Sequence, residues 1–211
     1  MSPWLPRWLA RRASPELTAL REAGFVALDL ETTGLDARRD AVVSVAAVPF
    51  LGGQPRPGYA TLVNPERPIP PASTAIHGLT DDMVAAAPRI DRVLAALDDV
   101  LDGTPVLAGH GVDFDLAVLE RERRQRGLPR LAIPALDTLL LAAALNPGWP
   151  DYTLERVASR AGVEVVGRHT AEGDALTAGR ILLALLPALE GRGFRTVGEL
   201  LWLQRQTRAK L

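Results

Sequence analysis

Apolar and polar positions divide the chain into a strand-rich first part and a helix-rich remainder. Runs of β-branched and apolar residues bounded by Gly, Pro and Asp predict strands over 25–30, 42–50 and 58–63. Their short connections predict an antiparallel meander. From about residue 72 the apolar residues recur at helical spacing, most clearly between Ile90 and Leu101. Thr80 stands as a helix cap before Asp81-Asp82-Met83, whose acids suit a helix N-terminus. Pro105–Gly109 reads as a short buried strand, followed by a helix over Asp113–Arg126, a strand over Leu131–Leu136 and a helix over Asp137–Leu145. Beyond a loop at 146–150, helices are expected near 153–161 and 171–189, the second broken at Pro187. Thr196-Val-Gly-Glu199 has capping-box spacing and predicts a last helix. Strands followed by strand–helix units, without internal repeats, give an α/β mixed sheet flanked by helices.

One strand departs from the apolar pattern. Phe25-Val-Ala-Leu-Asp-Leu-Glu-Thr-Thr-Gly34 should be buried, yet it carries Asp29 and Glu31 two positions apart, on one face. Two acids side by side in an apolar setting repel each other and resist desolvation, so they need a cation; a divalent metal is the candidate. Two later patterns offer further acids. His110-Gly-Val-Asp-Phe114-Asp115 lies just beyond a buried strand and opens a helix, and His169-Thr-Ala-Glu-Gly-Asp174 lies near the start of a late helix. Taken singly each is weak, because an acid in the first turn of a helix is explained by the macrodipole alone. Their order along the chain carries the signal.

Composition narrows the class. At 211 residues, with 47% apolar and 23% charged residues, this is an ordinary soluble globular chain. A net charge of −1 excludes a broad positive field for long nucleic acid, but not an enzyme that grips a chain end. Cysteine is absent, which excludes disulfides, thiolate ligands and cysteine nucleophiles. No stretch approaches the roughly 20 apolar residues of a membrane span. Prolines and arginines occupy the start, where a signal peptide needs its apolar core, so a cytoplasmic location is expected. Three parts are expected: a Trp- and Arg-containing arm over 1–23 with a helix start at Ser14-Pro15, a domain over 24–190, and a basic helical tail over 191–211. In that tail Arg192, Arg195, Arg205, Arg208 and Lys210 face Glu199 alone. A solvated basic helix is the plain reading, and contact with nucleic acid or an acidic partner the sharper one.

Together the three patterns resemble the DEDD superfamily of 3′–5′ exonucleases, in the subclass with a histidine in its last motif (DEDDh). The similarity is greatest to the branch of the proofreading epsilon subunit of bacterial DNA polymerase III and its stand-alone relatives. It spans about residues 24–190 and includes Leu62-Val-Asn-Pro65, Ile76-His-Gly78, Asp137-Thr138 and Tyr152-Thr-Leu154. The resemblance implies a ribonuclease-H-like fold, a mixed five-stranded sheet with one antiparallel strand and helices on both faces. It implies that Asp29, Glu31, Asp115 and Asp174 are metal-binding carboxylates, that His169 is the general base, and that Thr32 and His77 touch the terminal nucleotide. Two divalent ions, Mg²⁺ or Mn²⁺, are the implied cofactors, since oxygen donors select hard cations. The implied substrate is the 3′ end of single-stranded nucleic acid, with DNA favoured over RNA, in proofreading or repair, and a DNA polymerase subunit is a candidate partner. Within the second pattern the Phe-Asp pair favours Asp115 as the ligand, with Asp113 as a helix cap and Phe114 beneath the site. His110 reads as a supporting or structural histidine. Gly111 departs from the family's usual asparagine. The rival readings are a non-catalytic polymerase- or nucleic-acid-binding module, another ribonuclease-H-like enzyme, and an RNA-directed exonuclease of the same family.

Overall fold

The structure, a computed structural model, describes residues 24–210; the N-terminal arm, with its expected helix start at Ser14-Pro15, lies outside the described residues. The strands are β1 (Phe25–Thr32), β2 (Val42–Leu51), β3 (Gln54–Pro55), β4 (Tyr59–Leu62), β5 (Leu107–Gly109) and β6 (Ala135–Asp137). The helices are α1 (Pro71–His77), α2 (Asp81–Val84), α3 (Ile90–Leu101), α4 (Asp113–Gln125), α5 (Thr138–Leu145), α6 (Leu154–Ala161), α7 (Ala171–Gly191) and α8 (Val197–Arg208). One sheet runs β3-β2-β1-β5-β6, with β4 also paired along β2. β1, β3 and β4 are antiparallel to β2, whereas β5 is parallel to β1 and β6 to β5. β2 alone therefore runs against the others, as expected, and the two-residue β3 adds a sixth strand to the five expected.

The alternation along β1 sets up two cores. Phe25 and Ala27 pack with Ala46, Val48 and Phe50 against Ala175, Ala178 and Ile181 of α7. Val26, Leu28 and Leu30 face the other way, against Val93, Leu94 and Leu97 of α3 and Val118 and Leu119 of α4. β1 is thus sandwiched, and its two acids continue the row that faces α7. Close approach makes that packing possible. A Cβ on Gly179 would overlap the ring of Phe50, which stacks on Phe25 with centroids 4.9 Å apart. A glycine here lets the helix lie directly on the aromatic pair.

Several expectations are corrected. α7 is not broken at Pro187 but continues to Gly191. The missing N–H costs one helical bond, while Leu185, Leu186 and Leu189 on either side are buried and hold the turn in place. The strand expected over 131–136 is only Ala135–Asp137. The preceding segment is drawn to α4 instead, where Leu131 N donates to Glu120 Oε1 (2.7 Å) and Arg123 Nε donates to the Pro129 carbonyl (2.6 Å). Thr80 stands at the start of α2 without a side-chain capping bond, while Asp81 Oδ1 accepts from Ile69 N (2.8 Å). The last helix has its capping box between Thr196 and Glu199 but is no free solvated arm. Val197 and Leu200 are buried, and Gln204 accepts from Asp137 N (3.1 Å) while donating to the Ala135 carbonyl (2.8 Å). Its amide serves the edge of β6 as a neighbouring strand would. Among the described residues no helix is long and apolar enough to cross a membrane.

The Phe50–Gly179 contact is directly testable. Gly179→Ala is expected to destabilise the protein by about 1–3 kcal/mol through overpacking, despite the higher helix propensity of alanine. Chemical denaturation checks it, and Phe50→Leu in the same chain should recover part of the loss. A Gly179→Ala protein as stable as the parent would mean the helix does not sit on that ring.

Candidate active site

All seven residues expected at the site line one cavity of about 300 Å³: Asp29, Glu31, Thr32, His77, Asp115, His169 and Asp174. Asp29 and Glu31 come from β1, and Asp174 from the first turn of α7, which covers the same face of the sheet. One donor oxygen from each of these three lies within 4.8 Å of the others. Asp115 arrives from α4 on the opposite face. Its Oδ1 accepts from Leu30 N at 3.1 Å, so it is tied to the backbone between Asp29 and Glu31 rather than placed inside that tight trio. Asp113, expected as a cap, makes no capping bond; it is exposed and pairs with Arg208 of α8.

Local structure explains how His169 and Asp174 reach the cavity together. Thr170 Oγ1 caps α7 by accepting from Gly173 N (3.1 Å). A Cβ on Gly173 would strike the carbonyls of Gly167 and Val166, so only glycine allows the 166–170 loop to dock so closely on the helix. His169 sits in that loop with φ at +62°, an uncommon conformation for a residue with a side chain.

The acids are crowded without enough counter-charge. Burial, together with the Asp115, Asp174 and Glu31 charges, holds the Asp29 carboxyl well above the usual carboxylate range. Burial and the Asp174 charge push Glu31 up to about 7. Burial pushes Asp115 up to about 8, the backbone bond from Leu30 opposing the shift. Asp174 is raised by burial and pulled back by Arg168, whose guanidinium pairs with its Oδ2 and with Glu155. Asp174 Oδ1 is buried with no hydrogen-bond partner. A buried, unpartnered carboxylate oxygen on a residue grouped with two further carboxylates suits a hard cation, so these residues fit a divalent metal.

The three histidines are in different chemical situations. His110 is held at both ring nitrogens, by the Tyr152 carbonyl at Nε2 (2.8 Å) and the Thr138 hydroxyl at Nδ1 (2.9 Å). A carbonyl only accepts, so Nε2 carries the proton, and burial pushes the pKa down to about 4. The ring is neutral and spoken for, as a structural histidine should be. His77 accepts from Leu79 N at Nδ1 (3.0 Å), which leaves its proton on Nε2, a buried donor beside the Thr32 carbonyl but without a close hydrogen bond. Burial lowers its pKa, so it stays neutral near pH 7. Thr32 Oγ1 donates to the Gly34 carbonyl (2.6 Å) and so shapes the turn at the cavity wall. Sequence reasoning missed Arg168, although its place beside His169 was a visible signal. It also missed Ser73, which lines the cavity and donates to the Thr33 carbonyl (2.7 Å), and Leu35, an 86% exposed leucine at the rim.

The raised carboxyl pKa values have a consequence for the metal-free protein. The native state binds these protons more tightly than the unfolded chain, whose acids titrate near ~4. Stability from this source is present at and below that value and is lost as pH rises toward about 7 for Glu31 and about 8 for Asp115. In chelator, the melting temperature is expected to fall by roughly 5 °C between pH 6 and pH 8.5, with Asp29→Asn flattening the dependence. Added Mg²⁺ or Mn²⁺ should restore more at pH 8.5 than at pH 6. A melting temperature independent of pH in chelator would contradict the crowding of these acids.

The exonuclease family model (RNase_T) matches residues 26–182. A DNA polymerase III subunit epsilon-like protein of Rhodobacter capsulatus is 41% identical over 189 residues, which are 87% of this chain but 27% of that protein. This chain therefore spans only about a quarter of that relative's length. The DNA polymerase III subunit epsilon of Aquifex aeolicus is 31% identical over 182 residues, covering 84% of this chain and 90% of that one. Exonuclease X, solved in complex with 5′ overhanging duplex DNA, has the same fold with a TM-score of 0.66 at 26% identity, over 85% of this chain and 99% of that one. The chain belongs to the exonuclease family, in its DEDD-type 3′–5′ branch, and carries that family's ribonuclease-H-like fold.

Proposed function

We propose that this protein is a metal-dependent 3′–5′ exonuclease that hydrolyses the terminal phosphodiester bond of a nucleic-acid strand and releases nucleoside 5′-monophosphates. The observation that carries the reading is the trio of Asp29, Glu31 and Asp174 oxygens within 4.8 Å of one another, in a cavity shared with His77, Asp115 and His169. Two Mg²⁺ or Mn²⁺ ions held by Asp29, Glu31, Asp115 and Asp174 would supply positive charge to the phosphate oxygens and lower the pKa of the attacking water. The remaining work falls to this chain's own side chains. His169, on its strained loop, accepts the proton of the attacking water as the oxygen bonds to phosphorus. The bond from phosphorus to the 3′ oxygen breaks, leaving a strand one nucleotide shorter with a 3′ hydroxyl. His77, neutral with its proton on Nε2, and Thr32 border the terminal nucleotide. Arg168 holds Asp174 and Glu155 and partly balances the acids.

DNA is the favoured substrate, supported by the polymerase III epsilon relatives and by Exonuclease X, which was solved with DNA. Single strands are favoured because a cavity of about 300 Å³ is of a size for one terminal nucleotide rather than a base pair. Proofreading or repair, with a DNA polymerase subunit as partner, is the cellular role that these relatives suggest, and a cytoplasmic location accords with it.

The purified protein is expected to shorten 5′-labelled single strands from the 3′ end in Mg²⁺ and to do nothing in chelator. Asp29→Ala should lower the rate at least ~10³-fold, the scale on which loss of a charge-stabilising group acts. His169→Ala should lower kcat by about 10²–10⁴-fold while leaving metal affinity largely intact. Equal loss of turnover and metal binding would make His169 a ligand or a prop. Wild-type activity no different from that of Asp29→Ala would end the exonuclease reading.

A further inference from the structure

A second cavity, about 570 Å³, opens on the far side of the loop that joins β1 to β2. The near side of that loop borders the acidic cavity through Gly34 and Leu35. Arg38, Arg39, Arg67, Arg121 and Arg126 line the second cavity, with Glu66 and Glu122 as its acids. Both acids are already engaged, Glu66 by Arg89 and Glu122 by Arg121 and Arg126. The hollow therefore presents surplus positive charge, on a chain whose net charge is −1.

The loop that carries this charge is held in place by hydrogen bonds to its carbonyls. The Arg121 side chain is only 7% exposed and donates to the carbonyls of Ala37 and Asp40 at either end of Arg38-Arg39. Asp40 braces the same loop from inside, accepting from Thr33 Oγ1 (3.0 Å) and Asp36 N (2.8 Å). Arg67 reaches across to the Arg39 carbonyl (2.8 Å). The loop backbone is thus fixed by Arg121 and Arg67, while the exposed side chains of Arg38 and Arg39, the latter 3.7 Å from Asp36, extend from a set position.

The second cavity also stands at a meaningful distance from the first. α4 carries Asp115 at the acidic cavity and Arg121 at the basic one, and Arg126 follows directly at its end. Six to eleven residues of helix correspond to ~9–16 Å. A strand covers that in roughly 3–5 nucleotides at the ~3.4 Å spacing of stacked bases. We propose that this cavity is a phosphate-binding subsite that grips the backbone of the nucleic-acid strand a few nucleotides inward from the end held in the acidic cavity. The inference rests on the exonuclease reading and adds to it a dependence on substrate length and on salt.

The test compares the parent chain with an Arg38→Gln/Arg39→Gln/Arg67→Gln variant on a dinucleotide and on a single strand of about 20 nucleotides. For the long strand, kcat/KM is expected to fall about tenfold or more, with the logarithmic salt slope shallower by about 2, as for three lost phosphate contacts. The dinucleotide, too short to reach, should be hydrolysed within twofold of the parental rate. The corresponding triple lysine variant should keep most of the long-strand activity. Parental kinetics and salt slope on the long strand would overturn the proposal, as would equal loss on both substrates, or a lysine variant as impaired as the glutamine one. If the parent cuts neither substrate, the exonuclease reading fails by itself. Fluorescence anisotropy of the labelled long strand, across salt, then decides the subsite: an unchanged slope in the glutamine variant overturns it and points to an acidic protein ligand instead.

Discussion

The structure depends on forcing carboxylates together that would otherwise repel. Asp29 and Glu31 share a strand face, Asp174 is brought onto it by α7, and Asp115 is hydrogen-bonded to the peptide between them. Arg168 supplies one guanidinium to the group, too little to bring their pKa values back to the ordinary range. A bare acidic cluster of this kind is a stored electrostatic cost, and the obvious return is tight binding of a hard cation. The cost is carried by the packing around it: two apolar layers clamp β1, and the site occupies the place where the apolar rows of that strand give out.

Convergence from both faces of the sheet is what makes the cavity. α7 lies close on β1 and β2 because Gly179 admits the Phe50 ring, and its first turn is locked to the 166–170 loop through Gly173. α4 comes from the other face and reaches the end of β1 through Asp115. Neither helix alone assembles the acids. The same α4 then runs on to the basic cavity, so one rigid element spans both hollows.

The histidines show how environment divides labour among identical side chains. His110 has both nitrogens bonded and is locked neutral, which suits bracing the loop at Tyr152 against β5 and α5. His77 has one nitrogen bonded and its proton on a buried Nε2 beside the Thr32 carbonyl, in a residue that lines the cavity. His169 sits in the same cavity on a strained backbone, on the loop that delivers it next to Asp174. In the proposed reaction these three sites would serve bracing, binding and proton transfer in turn.

Much of this was legible in the chain. Period-two alternation in 25–32 placed Asp29 and Glu31 on one face, helical spacing marked Ile90–Leu101, and the Thr196/Glu199 spacing marked the last helix, because these are local rules of backbone geometry. The order of acids and histidines identified which distant residues to bring together. What the chain could not reveal depended on partners remote in sequence. Pro187 stays helical because buried leucines hold its turn, 131–134 leaves the sheet because Glu120 and Arg123 bind it, and Asp113 gives up capping for Arg208. The pairing of Arg168 with Asp174, the burial of His77 Nε2 and the basic hollow beyond the β1–β2 loop are likewise products of tertiary contact. The sequence by itself picked out the groups that the structure brings into one cavity; only the folded chain decided their charge states and neighbours, because desolvation and Coulomb energy depend on distances that no local pattern encodes.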